Sequence, residues 1–203
     1  MQYLLKIMMI GTTLFTYHLT MRSQGTSSFV NNGSKHNVES CQNSIKAYEA
    51  CIQNSTWVVP PETLLAYTYI EKKYIPVSDQ TVWTINNFNQ GYFFGESYTS
   101  INHGSFSQRH LIGSVTPFGD VYITFYPVKS AIRDTDLVQG IGKIILDENG
   151  QCAFVMQMNS GQNNFSGLTH WSYMISVKKH DPYYKRLPGE NISVPEFLKK
   201  FSK

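Results

Sequence analysis

The chain lacks every catalytic signature that carries a mechanism with it. No Gly-x-Ser-x-Gly elbow, P-loop or paired-carboxylate motif occurs, so no reaction class is named by motif. No two histidines show the i, i+4 or H-x-H spacing of a metal site, and no C-x-x-C occurs. Metal and thioredoxin-type chemistry are therefore not expected, and no cofactor is implied. Gly140-x-Gly142 is part of a dinucleotide fingerprint, but the third glycine and the following helix are missing. Charge is sparse as well: 15% of residues are charged and the net formal charge is only +3. Basic residues gather only near the end, at Lys178, Lys179, Lys185, Arg186, Lys199, Lys200 and Lys203. With no RNA- or DNA-binding motif beside them, nucleic acid is not an expected partner, and residues 181–203 read as a solvated basic tail.

Cysteine is scarce too, at three residues. "VESCQNSIKAYEACI" spaces Val38, Cys41, Ile45, Tyr48 and Ile52 along one helical face. On such a helix Cys41 and Cys51 lie about 15 Å apart, beyond the roughly 7 Å between α-carbons that a disulfide allows. Either could pair with Cys152, leaving one thiol over, and three reduced thiols are the equal alternative. Cys152 itself reads as core filling rather than as a nucleophile.

What the chain does have begins with an apolar start. In "MQYLLKIMMIGTTLFTYHLTMR", Lys6 precedes the apolar stretch 7–17, and small residues follow at 23–27. Residues 1–22 are read as a cleaved secretory signal, which puts the protein in a secreted, periplasmic or other extracytoplasmic location. The alternative is a buried or membrane-associated amphipathic helix, which leaves membrane contact open for this segment. Residues 23–36 are small and polar and read as a flexible linker. Four N-x-S/T sequons, at Asn32, Asn54, Asn164 and Asn191, exceed the chance number too little to decide anything.

Residues 37–75 read as a helical N-terminal region. Its second helix is placed on "PETLLAYTYIEKKY", with Pro61 and Glu62 at the start and Lys72 and Lys73 at the end. Tyr67, Thr68, Tyr69 and Ile70 would equally suit a strand. From residue 76 to 180 the texture is β-rich. Seven strand candidates lie at 81–85, 91–101, 105–115, 120–126, 137–146, 151–158 and 168–177. Short loops between them indicate an all-β-dominated chain, α+β at the margin. The expected fold is an antiparallel up-and-down barrel or strongly curved sheet of about seven strands behind one or two helices. That layout is comparable with lipocalins and streptavidin, but no motif of either family is present, so no binding residue carries over.

Two corners sort the side chains. "TPFG" (116–119) and "DENG" (147–150) both fit a type I turn closed by a left-handed glycine. The first pairs Thr116 with Asp120, and so Val115 with Val121, Gly113 with Ile123 and Leu111 with Phe125. The second brings Ile144, Leu146, Cys152, Phe154, Met156 and Met158 onto one apolar face. A three-residue loop at "NHG" (102–104) then pairs Ile101 with Ser105 and Glu96 with His110. Phe93 joins the aliphatic face, while Tyr92, Phe94, Glu96, Tyr98, Phe106, His110, Ile112, Tyr122 and Tyr126 share the other.

That second face supplies the candidate site. Tyr92, Phe94, Tyr98, Tyr122 and Tyr126 are the candidate ligand- or partner-binding residues. Glu96 and His110 are either an exposed cross-strand pair or an acid–base couple. His170, beside Trp171, reads as a strand histidine bonded to a neighbour. The preferred reading is an exported binding or interaction protein rather than an enzyme. Its partner is a small apolar or aromatic ligand in a barrel mouth, or another protein on the tyrosine-rich face. One rival is a cofactor-independent barrel enzyme (isomerase, cyclase or hydrolase) whose Glu96 and His110 point inward beside a cavity. The other is a structural subunit of an envelope or secretion assembly, with no enclosed cavity and an apolar patch on the helix at 38–52.

Overall fold

The structure is a computed structural model, which describes residues 33–60, 64–102, 105–128, 137–146, 151–160 and 167–202. The expected signal segment 1–22, most of the linker, and the "DENG" corner itself lie outside the described residues. In chain order the elements are α1 (Gly33–Ile52), β1 (Ser55–Val58), β2 (Leu64–Thr68), β3 (Lys73–Val77), β4 (Asp79–Asn89) and β5 (Tyr92–Ile101). There follow β6 (Ser105–Val115), β7 (Asp120–Pro127), β8 (Val138–Leu146), β9 (Cys152–Ser160), β10 (Leu168–Val177), α2 (Pro182–Lys185) and α3 (Val194–Lys199).

Every strand pairing is antiparallel, and β4 to β10 form a meander that β1 closes by pairing with both β4 and β10. The result is an eight-stranded barrel, with the β2–β3 hairpin continuing from the first half of β10. Closure leaves those barrel strands without an open edge. The registers follow the turn chemistry. Val115 faces Val121, Leu111 faces Phe125, Ile101 faces Ser105 and Glu96 faces His110. At the "TPFG" corner the Gly119 amide donates to the Thr116 carbonyl and Gly119 sits at φ +80°. Ile144 faces Phe154 and Leu146 faces Cys152.

Three strands, β1 to β3, precede the seven expected ones, and the second helix of the N-terminal region does not form. Residues 64–77 make the β2–β3 hairpin instead, turning where Lys72 takes φ +50°. Leu64, Ala66 and Val77 are buried on one face while Leu65 and Tyr74 are exposed. That is the period of two of a strand, and it outweighs the end-of-helix charges. β1 also falls inside the region expected to be helical. The first helix does form, and begins inside the expected linker.

Inward residues pack around a ring cluster. Phe154 lies 4.3 Å from Trp57, 5.7 Å from Trp83 and 5.9 Å from Phe93, ring centroid to ring centroid. A bulge between Ile85 and Asn87 shifts the β4 register, so that Ile85 and Phe88 are both buried. One end of the barrel is covered by α1, whose Ile45, Tyr48, Cys51 and Ile52 pack on the core. Two turn glycines lie under it: a side chain at Gly91 would meet Ile45, and one at Gly119 would meet the Tyr48 hydroxyl. A disulfide joins Cys51 to Cys152 across 6.2 Å between α-carbons, tying the end of α1 to β9.

The C-terminal segment is not a solvated tail. Leu187, Val194 and Phe197 are fully buried against the outward side chains Val58, Val82, Ala153 and Ile175. Ser193 caps α3 in a capping box with Glu196, and Lys200 binds Glu190 at 2.7 Å. The lysines thus decorate an amphipathic strap whose apolar side is hidden in a charge count.

Candidate functional site

The barrel divides the sequence-derived candidates by face. Phe93, Leu111, Val115, Val121, Ile123 and Phe125 point into the core, and the tyrosine-rich set points out. Tyr92, Tyr122 and Ile141 are each more than half exposed, and Phe94, Ile112 and Tyr126 are exposed to a lesser degree. Tyr92, Ile112, Tyr122 and Ile141 flank a shallow surface groove of about 300 Å³ floored in part by Ser114 and Thr124. Tyr98 does not belong to this patch. Its ring meets Phe201 edge-on at 5.2 Å, and its hydroxyl donates to Glu96. Burial and the neighbouring Glu96 carboxylate push the Tyr98 phenol up to about 12, so it stays a hydrogen-bond donor at any physiological pH.

Glu96 and His110 face each other across β5 and β6, as the register required, but on the outside. Glu96 accepts hydrogen bonds from Tyr98 and from Gln108, the latter at 2.9 Å. His110 lies against the Tyr126 ring at 5.0 Å. The barrel enzyme reading needed both groups beside an internal cavity, and the geometry removes that condition. The assembly-subunit reading is also weakened: the apolar residues of α1 that are described pack inward, and an internal cavity exists.

That cavity lies inside the barrel, at the end opposite α1. Its free volume is about 200 Å³. Trp83, Phe125, Met158 and Met174 form its apolar depth, and Asp79, Thr81, Ser97, Thr99, Arg109, His170 and Ser172 line it nearer the mouth. The strand period explains the arrangement, because on β4 alone Asp79, Thr81 and Trp83 point the same way. Thr81 Oγ1 donates to Asp79 Oδ1 at 2.8 Å and lies 2.9 Å from Thr99 Oγ1. The His170 Nδ1–H donates to the Trp171 carbonyl at 3.1 Å, so a neutral ring keeps its lone pair on Nε2. The Asp79 carboxyl is packed among protein atoms, and this desolvation pushes its pKa up. The Thr81 hydrogen bond and a positively charged His170 oppose that rise without cancelling it.

His170 therefore does bond to a neighbour, as expected, and it also lines the cavity. Asp79 and Arg109 were not singled out in the sequence, although a usable signal existed. Carrying the period of two from Leu111 back to Arg109, and from Trp83 back to Asp79, puts both on the inward face. Among the described residues no group of three or more His, Cys, Asp or Glu could hold a metal ion. The polar mouth over an aromatic and thioether floor suits an organic molecule with an apolar body and a hydrogen-bonding end. The chain matches no protein-family model, no curated protein and no solved structure.

Proposed function

We propose that this is an exported binding protein that holds a small, partly aromatic ligand in the open end of its barrel. The observation that carries the reading is the cavity itself: an apolar floor of Trp83, Phe125, Met158 and Met174 beneath a ring of hydroxyl, carboxyl, guanidinium and imidazole groups. A packed eight-stranded barrel has little reason to hold Asp79 inside unless a polar ligand repays its desolvation. The Cys51–Cys152 bridge supports an oxidising compartment, in keeping with the apolar N-terminal stretch.

The test uses 2-naphthol, a fused-ring aromatic with one hydroxyl, as a fluorescent probe of the purified protein. Ser172 is buried, small and inward, so Ser172→Phe fills the cavity with a side chain. Probe affinity is expected to fall at least tenfold, with far-UV circular dichroism unchanged. Equal affinity in the variant would sink the proposal.

A second reading, a protein partner on the outer face, is favoured by the uncharged groove between Tyr92, Ile112, Tyr122 and Ile141. Probe binding that survives Ser172→Phe but is lost in Tyr122→Ser would place recognition there.

A further inference from the structure

Two of the four sequons fall on described residues, and both lie at exposed turn positions. Asn54 is the residue just past the last turn of α1, at φ +53°, where asparagine is one of the few residues that tolerates a left-handed helix end. Asn191 holds φ +59° in the turn that leads into the capping residue of α3. Both residues are exposed. Arg186 Nε donates to the Asn191 side-chain amide oxygen Oδ1, which leaves Nδ2, the atom that would be modified, without a partner among the described residues. Among the described residues no side-chain hydrogen bond engages Asn54. The third positions, Thr56 and Ser193, complete both sequons.

We propose that Asn54 and Asn191 are sites of N-linked glycosylation, an inference that rests on the export reading above. The donor class is an oligosaccharide carried on a polyprenyl diphosphate. A bond forms between Nδ2 and the anomeric carbon of the first sugar while the bond from that carbon to the diphosphate breaks. The amide loses one proton and the polyprenyl diphosphate leaves. Placement adds a consequence at Asn54. A groove of about 480 Å³ borders it, walled by Gln53, Thr56, Lys179 and Tyr184 and reaching Cys51 and Cys152. A glycan at Asn54 lies over the groove through which a reductant would approach the disulfide.

The experiment expresses the full chain with its own N-terminus in cultured insect cells, fractionates medium from cytosol, and maps peptides by mass after peptide N-glycosidase. Asn54 and Asn191 are expected to read as Asp in treated material, and Asn54→Gln and Asn191→Gln each to remove one step of electrophoretic shift. Secreted protein with unmodified Asn at both positions overturns the inference and leaves export standing. Modification at one position overturns the other. Chain retained in the cytosol with free thiols overturns export and this inference together. Dithiothreitol should reduce the deglycosylated protein at least threefold faster than the intact one, and equal rates overturn the shielding at Asn54.

Discussion

Along β4 the interior of the barrel changes chemistry within one strand. Ile85 and Trp83 are buried in the ring cluster toward α1, while Thr81 and Asp79, on the same inward face, line a cavity. The closed end is filled, capped by a helix and pinned by a covalent bond. The open end keeps free volume and a carboxyl group that its surroundings disfavour as an anion. Filled, capped interior is where a small barrel gains its stability, and unfilled polar interior is where it can gain a ligand. Stability and binding should therefore separate by end.

The largest effect belongs to the closed end. Phe154 is fully buried against Trp57, Trp83 and Phe93, so Phe154→Ala should cost about 3–5 kcal/mol in urea unfolding. A loss below about 1 kcal/mol would mean the ring cluster is not the packed part. Next comes the bridge, which closes a loop spanning 101 positions. Replacing Cys51 and Cys152 together by Ser should lower stability by about 2–5 kcal/mol. Probe affinity at the mouth should hold within about twofold, and a parallel loss of binding would break the contrast between the ends.

Much of this is legible in the sequence, and the reason is local. A glycine at φ +80° closes "TPFG", that turn sets the register, and the register decides that Leu111 and Phe125 share a face. The tyrosines, Glu96 and His110 then had to share the other, and they do. Register alone leaves open which face is inside; the apolar set takes the interior, and the same inward row continues past it into the polar residues of the cavity. Arg109, Ser107, Ser97 and Thr99 obey the same alternation and line the mouth. Their polarity gives no apolar signal that they face inward. The hairpin at 64–77 and the buried C-terminal strap depart from the local pattern for a different reason. In both, charged residues at the ends of short elements masked apolar positions whose burial depends on distant strands. The choice of Cys51 over Cys41 required knowing that the end of α1 meets β9, which no local pattern contains.

The smallest effect tests the open end directly. Burial raises the Asp79 pKa in the folded state above its ordinary value of 3.8. The folded protein therefore binds this proton more tightly than the unfolded chain does. Stability from this group is fully present below the ordinary carboxylate pKa and is lost as pH rises through the elevated folded value. Asp79→Asn keeps an acceptor for the Thr81 hydroxyl but has no charge to desolvate. The variant should melt higher than the wild type at pH 7, by a few degrees at most, and the gap should close as pH falls toward 4. His170 and Arg109 face the same cavity and are present in both proteins, so the comparison isolates the Asp79 charge together with its interaction with His170. A variant that melts lower at pH 7 would mean that the folded protein favours the Asp79 anion. The open end would then be as well satisfied as the closed one, and the argument for a missing ligand would lose its footing.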